Sequence, residues 1–336
     1  MPSRRDPRTG SSPAVSGAGA TLRDMARIFV EGWSPEYGSP LDKDETLAPA
    51  EGSVDTTVEA DDWAPISGVD DGCERIAFID GVRRIDARLT LDDPAQGPVP
   101  GICGTFAVGA TVWERTERRS SVEAIRVERW AVLADGRPEL LPAVDLVPSY
   151  DTTTTASHDP YAPVVELQTK MRRAEGETAS GLAAQNCFVV ADGPLNDLRP
   201  GPAVGYIKSH RVTYLPPERN TVVGALAPGQ RTPLFTIADY KRYSWYVRLA
   251  DLAGGHSWTG VVRCEASGQL PLAEVRGLAD RTAAILPTVA SEPHVDPRAP
   301  QNLVPIAALE RELRHRMGDQ RLVYRALRDA VMREAS

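Results

Sequence analysis

A long helical pattern that leads into an almost wholly apolar segment constrains the fold of this chain more than any other feature. The helical pattern, YAPVVELQTKMRRAEGETASGLAAQ, runs from Tyr161 to Gln185, with Asp159 before it and Pro163 in its first turn. The apolar segment that follows, CFVVADGPL, runs from Cys187 to Leu195 and is typical of a buried strand. A buried strand of this kind predicts a sheet with helices packed on it.

Other strand and helix patterns surround this pair. Turns rich in Gly, Pro and Asp separate four strands that form a predicted antiparallel meander, over residues 75–80, 82–91, 104–113 and 126–133. After the apolar strand we expect a strand returning beside it over 202–215, and two more over 245–250 and 258–266. Predicted helices cover 21–33, 272–286, 304–317 and 321–334. The order predicts an α/β protein with one mixed sheet flanked by helices.

The same patterns divide the chain into four parts. We predict a disordered tail over 1–20, a helix and an acidic linker over 21–66, one continuous domain over 67–300, and C-terminal helices over 301–336. No apolar run approaches the roughly 20 residues that span a bilayer, and the first 20 residues lack the apolar core of a signal peptide. We therefore expect a cytoplasmic protein with no membrane partner.

The net charge of −8 is unevenly distributed. Eight acids and one lysine lie between Asp42 and Asp62, so the other residues together are close to neutral. Short groups of arginine and lysine residues are candidates for a DNA-binding groove; they lie at 83–84, 115–119, 172–173, 208–211 and 311–316. Ordinary charged helix faces explain most of these pairs equally well.

Two aspartates end strands of the buried type. Asp80 and Asp192 each follow an apolar run and precede a glycine, and strand ends are where ligands and catalytic groups gather. Asp-Gly is also a common turn. The triplet Ala-Asp-Gly occurs twice, and the copy with Asp135 leads into polar residues, so we interpret Asp135 as a turn and Asp192 as a candidate ligand.

The intervening helix supplies a third acid. Its apolar stripe consists of Val164, Leu167, Met171, Ala174 and Leu182. Glu175 lies in line with Met171 and Leu182, on the side toward the sheet, whereas Glu177 lies on the solvent side. A carboxylate facing the sheet needs a cation, which is either a metal ion or an arginine such as Arg172.

Three carboxylates in one crevice would repel one another unless a cation neutralised them. Oxygen ligands favour Mg²⁺ or Mn²⁺, and these ions serve mostly in phosphoryl-transfer chemistry, so phosphodiester hydrolysis is the predicted reaction. Lys208 would be the nearby cation that holds the phosphate, unless it is an exposed strand lysine. His294 and Asp296, in a proline-rich loop, are candidates for a further ligand or proton donor, or for ordering that loop.

The order of these segments resembles the NurA nucleases. It consists of a strand with Asp-Gly, a helix with an acid, D-G-P-L, G-Y-I-K-S, and P-H-V-D-P-R-A-P-Q-N-L before a helix, over about residues 70–317. The resemblance implies an RNase H-like (PIWI-like) core, Mn²⁺-dependent endonuclease and 5′ to 3′ exonuclease activity on DNA, a homodimer, and a HerA-like hexameric ATPase as partner in DNA end processing.

By position, the resemblance assigns metal binding to Asp80, Glu175 and Asp192, and the strand lysine to Lys208. His294 and Asp296 stand in for the closing residues of the family, whose spacing differs here. Two alternatives stay open at this point: a non-catalytic DNA-binding or scaffold subunit of a HerA-type complex, and an RNase H-like ribonuclease. The chain has no G-x-x-x-x-G-K-[S/T] sequence, so ATP-driven movement would come from a partner.

Overall fold

The computed structural model describes residues 27–30, 54–94, 97–136, 148–194, 201–208, 210, 213–237, 241–252, 257–296 and 298–334. In this part of the chain, the strands join into one mixed sheet with helices on both faces. The strands are β1 (Arg27–Val30), β2 (Val54–Asp55), β3 (Ile66–Ser67), β4 (Arg75–Asp93), β5 (Gly97–Glu114), β6 (Arg119–Leu133), β7 (Asp151–Thr154), β8 (Phe188–Asp192), β9 (Ala203–Ile207), β10 (Gln230–Arg231), β11 (Phe235–Ile237), β12 (Arg242–Arg248) and β13 (Val261–Ser267). The helices are α1 (Ala162–Ala183), α2 (Pro217–Ala225), α3 (Leu272–Ile285), α4 (Val304–Arg316) and α5 (Gln320–Glu334).

The centre of the sheet combines an antiparallel meander with a parallel pair. β4, β5 and β6 pair in antiparallel succession, and β8 then lies parallel to β4 on its other side. β9 lies parallel to β8, and β13, β12, β11 and β2 continue the sheet beyond it. The predicted α/β class and the mixed sheet flanked by helices are confirmed.

The two faces of the sheet bury different helices. Ala77 and Ile79 of β4 pack with α1, whereas the alternate residues Ile76 and Phe78 pack with residues of α3 and α4. Successive side chains of a strand point to opposite faces, so β4 alone assigns each helix to a face. Among the described helices, none has the length and the uninterrupted apolar sequence that a bilayer span requires.

The turn predicted at Asp80 and Gly81 is wrong. β4 is a single strand of 19 residues, and Asp80 and Gly81 lie within it, paired with Gly109 and Val108 of β5. The apolar pattern breaks at Asp80 because the strand passes the end of β8 there, where a polar side chain can leave the packed sheet. The strand's irregularity comes later, as a β-bulge at Asp86 between Ile85 and Ala87.

The helix predicted over 21–33 is wrong where the structure describes it. Residues 27–30 form β1, which pairs antiparallel with residues 89–92 of β4, and the rest of the prediction lies outside the described residues. The sequence RIFV has high β-propensity, and pairing with β4 decides between the two periodicities in so short a segment.

Three further details differ from expectation. The strand after β8 does not return: β9 is parallel to β8 and ends at Ile207. Part of the predicted linker pairs with the sheet, because β2 joins β11 and β3 joins β10, and Trp63 between them is buried. The helix α2 and the strands β7, β10 and β11 had no prediction, since two to nine residues show too little periodicity.

Candidate metal centre

Asp80 and Asp192 are brought together by the register of two parallel strands. Ile79 of β4 lies opposite Ala191 of β8, so the next residue of each strand is an aspartate, and the two carboxylates point to the same face. Gly193 follows with φ +93°, a left-handed conformation that glycine adopts without strain. The carboxylate of Asp192 therefore stands at the end of its strand, beside that of Asp80.

A third carboxylate comes from α4, which packs on the same face. Oxygen atoms of Asp80, Asp192 and Glu310 all lie within 4.8 Å of one another. Asp80 is 8% exposed, and the side chains of Asp192 and Glu310 are 18% and 15% exposed. We call these three residues the carboxylate cluster.

The burial of the cluster opposes its ionisation. Burial raises the pKa of Asp80 well above its usual range, and the charges of Asp192, Glu175 and Glu310 raise it further, while Lys208 opposes them. Burial also raises the pKa of Asp192, against the lowering effect of its contact with Lys208. The molecule concentrates negative charge here at a cost that a bound cation would remove.

Lys208 is the first residue of a hydrogen-bond network around the carboxylate cluster. Its ammonium group donates to Asp192 Oδ2 at 2.5 Å and to Asn302 Oδ1 at 3.0 Å. The fully buried Asn302 in turn donates to Asp296 Oδ2 at 2.7 Å. Arg298 bonds to Asp296 at 3.3 Å and holds both carboxylate oxygens of Glu310, at 3.0 and 3.1 Å. This hydrogen-bond network thus connects two members of the carboxylate cluster, Asp192 and Glu310.

Glu175 approaches the cluster from the opposite face of the sheet. A cavity of about 230 Å³ at the end of β8 is lined by Asp80, Glu175 and Asp192 together with Gln168 and Arg172. A Cβ atom at Gly81 would lie 2.3 Å from Glu175 Oε1. Because Gly81 has no side chain, the Glu175 carboxylate of α1 can pass it and reach the cavity. This explains why glycine follows Asp80 although the chain does not turn there.

The other predicted site residues have different surroundings. His294 is 75% exposed, faces Glu292 and does not line the described cavity. Asp296 lies behind the cluster, where the hydrogen bond from Asn302, helped by Arg298, lowers its pKa to about 2. The structure therefore brings Asp80, Asp192 and Lys208 together, adds Glu175 from across the sheet, and places His294 outside the cavity.

The two Ala-Asp-Gly triplets differ as the sequence predicts. Asp135 and Gly136 both have positive φ, +58° and +66°, in a turn after β6, and Asp135 contacts His158. Asp192 instead ends a strand and faces Asp80. Similarly, the five predicted stripe residues of α1 are buried, and Glu177 is exposed and contacts Arg126 at 2.6 Å.

Sequence reasoning missed Glu310, Asn302 and Arg298. Glu310 had a signal, because it lies in line with Ile306, Leu313 and Met317, which are all buried. In α1, Glu175 was identified because it lies in line with the apolar residues of the helix. The same criterion identifies Glu310 in α4. Asn302 and Arg298 lie in a loop, where no periodicity indicates which side chains point inward.

The chemistry of the cluster fits a hard divalent cation. All of its donor atoms are carboxylate oxygens, the ligands that Mg²⁺ and Mn²⁺ prefer. Three negative charges face two positive ones, Lys208 and Arg298, so the cluster keeps a net negative charge that favours a bound cation. Arg298 already occupies both oxygens of Glu310, so Glu310 would be shared between Arg298 and the ion.

Comparison with models of protein families finds no match, and comparison with curated proteins finds no similar sequence.

Proposed function

We propose that this protein is a nuclease that hydrolyses DNA phosphodiester bonds with Mn²⁺ or Mg²⁺. The observation that carries the proposal is the carboxylate cluster, in which Asp80, Asp192 and Glu310 come from two strands and a helix to within 4.8 Å of one another. Nothing in the packing of the sheet requires three acids at one point, and their mutual repulsion opposes folding.

Each residue of the site has a role in this proposal. Asp80, Asp192 and Glu310 would hold the ion. Glu175 would face the part of the cavity where the attacking water would lie. A divalent ion in such a site stabilises charge on the scissile phosphate and lowers the pKa of an attacking water. Lys208, held by Asp192 and Asn302, is placed to contact a phosphate oxygen as a point charge.

The strand order supports an RNase H-like core. Such a core would account for the order β6-β5-β4-β8-β9, with three antiparallel strands, then α1, then two strands parallel to β4. Together with the order of sequence segments, it supports a nuclease of the NurA type. In this proposal the protein is a cytoplasmic homodimer that processes DNA ends with a HerA-like ATPase.

One observation favours a non-catalytic subunit instead. Lys208 and Arg298 already neutralise Asp192 and Glu310, so a cluster without a bound ion is partly balanced by its own neighbours. A scaffold protein that retains the fold and docks on an ATPase ring would need no metal ion beyond this partial neutralisation.

Cleavage by the purified protein decides between the two. Linear DNA, circular DNA and RNA are each incubated with the wild type, with Mn²⁺ or with EDTA. We expect Mn²⁺-dependent DNA cleavage, and a loss of at least about 100-fold in Asp192→Asn, because a metal ligand supplies several kcal/mol of transition-state stabilisation.

Asp135→Asn is the matched control, since it changes the same residue in the other Ala-Asp-Gly triplet and should cleave like the wild type. Metal-dependent cleavage that persists in Asp192→Asn would overturn the assignment. Cleavage of RNA alone would favour the ribonuclease, and no cleavage of any substrate would favour the scaffold.

A further inference from the structure

The outer side of α5 carries a row of arginines. Arg321, Arg325 and Arg328 are exposed and are spaced by four and three residues, which places them on one side of the helix. The opposite side is buried, with Val323 and Leu327 packed on the sheet. At 1.5 Å per residue, the three side chains extend over about 10 Å of the helix axis.

These arginines lack the carboxylate partners that many other described arginines have. Arg115, Arg231 and Arg281 each contact a carboxylate, as is common elsewhere in the molecule. Within the described residues, no carboxylate lies within 4 Å of the arginines of the α5 row or of two exposed arginines of α4. We call these residues the arginine face: Arg311, Arg314, Arg321, Arg325 and Arg328.

The arginine face is a local reversal of the protein's charge. Residues 311–328 contain six arginines and two acids, a net charge of +4, in a chain whose net charge is −8. The remaining residues therefore carry a net −12, and they repel a polyanion. A polyanion would approach through the surface where positive charge is concentrated and unpaired.

The arginine face lies on the same side of the sheet as the carboxylate cluster. Leu309 and Leu313 of α4 pack near Ala107 of β5, and Val323 of α5 packs near Cys103 of the same strand. Ala107 and Cys103 are four residues apart and pair with β6 without a register shift between them, so they point to one face. Arg311 and Arg314 follow Glu310 within about one helical turn, and α5 packs farther along β5 from Gly109, the residue opposite Asp80.

We propose that the arginine face binds the phosphate backbone of DNA and guides a strand toward the carboxylate cluster. The proposal rests on the nuclease function for the identity of its ligand. Guanidinium groups without carboxylate partners form charge-assisted hydrogen bonds with phosphate oxygens and release counterions from the DNA. The contacts are to the backbone, so the face binds DNA without preference for sequence.

Charge reversal in a cleavage-deficient background tests the proposal. Binding of a short DNA duplex is measured in EDTA at several salt concentrations, with Asp192→Asn as the parent protein. Arg321→Glu, Arg325→Glu and Arg328→Glu are then combined in that parent. We expect affinity at low salt to fall at least about tenfold, and the slope of log K against log salt to decrease by about 2.7, the value for three phosphate contacts.

Two controls separate a local effect from net charge and from folding. The exposed residues Arg126, Lys241 and Arg276, changed together to Glu, alter the net charge equally but lie in three separate parts of the chain, outside the basic ranges named above. This control should retain most of the affinity. Changing the three α5 arginines to Lys keeps their charge and should restore binding close to that of the parent, and circular dichroism verifies that α5 is intact in every variant.

Unchanged DNA affinity in the Glu triple variant would overturn the proposal, and would leave the face to an acidic protein partner. Equal losses in the Glu triple variant and in the dispersed control would also overturn it, because net charge would then explain the binding. These outcomes do not depend on cleavage, so a protein that binds DNA through this face but cuts nothing would contradict the nuclease function alone.

Discussion

Two buried aspartates of the same strand, Asp80 and Asp86, are six residues apart and have opposite surroundings. Asp86 accepts hydrogen bonds from Arg84 Nε at 2.7 Å, from the Tyr150 hydroxyl at 2.9 Å and from the Thr105 hydroxyl. Asp80 accepts a hydrogen bond from the backbone of Gly81 at 2.8 Å and faces Asp192 and Glu310. The first carboxylate is surrounded by donors and the second by other carboxylates.

The difference distinguishes an acid with a structural role, Asp86, from the candidate metal ligand Asp80. A buried carboxylate is tolerated when hydrogen bonds and an opposite charge replace its hydration, as around Asp86. Asp86 also fixes the β-bulge of β4, and Arg84 extends from it to the carbonyls of Met317 and Gly318, where α4 ends. Within the described residues, Asp80 has the backbone N–H of Gly81 and the charge of Lys208 as compensation, and it is the acid whose charge the proposed metal ion would offset.

The largest expected effect is the loss of the structural acid. Asp86→Asn removes the partner of Arg84, whose side chain is only 12% exposed, and should lower the free energy of unfolding by about 3–5 kcal/mol. Asp80→Asn removes a repelled charge and should not destabilise the protein. Chemical denaturation in EDTA measures both. Equal destabilisation by the two variants would remove the distinction.

The second effect is stabilisation by metal. Mn²⁺ at about 100 times its Kd should raise the free energy of unfolding by about 2.7 kcal/mol in the wild type. Glu310→Gln should abolish most of this gain. The control is Glu312→Gln on the same helix, because Glu312 pairs with Arg316 on the surface and should leave the gain intact. A full gain in Glu310→Gln would exclude Glu310 as a ligand.

The third effect concerns the residue behind the cluster. Asn302→Ala removes the acceptor of Lys208 and the donor to Asp296, so it should weaken Mn²⁺ affinity or cleavage about 10- to 100-fold, as residues behind metal ligands commonly do. Isothermal titration with Mn²⁺ gives the affinity. Wild-type Mn²⁺ affinity together with wild-type cleavage would show that the hydrogen-bond network through Asn302 has no influence on the site.

A smaller effect is expected at Gly81. Gly81→Ala would displace the flexible carboxylate of Glu175, so stability should change by about 1 kcal/mol or less. Cleavage should fall by the same factor as in Glu175→Gln, with no further loss in the double variant. Gly181→Ala on α1 is the control, since an added Cβ there meets no atom within 4 Å. Additive losses in the double variant would contradict the contact.

The smallest effect is a dependence on pH. The raised pKa of Asp80 means that the unfolded chain ionises this group at a lower pH than the folded protein does. Stability is therefore lost as pH rises above about 4, the ordinary Asp pKa, until the folded-state pKa is passed. In EDTA, Asp80→Asn should exceed the wild type in melting temperature at neutral pH and match it below about pH 4. A constant difference at all pH values would contradict burial as the cause.

Much of the site was predictable from local patterns. The position of Asp192 at the end of an apolar strand, and the side of α1 that carries Glu175, both follow from periodicity. The same rule finds Glu310 in α4 once it is applied there. The loop residues Asn302 and Arg298 have no periodic signal, and their roles follow from contacts with residues far away in the chain.

The sequence by itself determined the elements of this protein: the helices α1, α3, α4 and α5, the buried strands, and Asp192 at the end of β8. Only the tertiary structure decided that Asp80 lies within a strand, that Glu175 comes from one face and Glu310 from the other, and that Asp86 is satisfied while Asp80 is not. Periodicity shows which side of an element is buried. It does not show what that side meets, because pairing between distant segments, such as β4 with β8, sets those contacts.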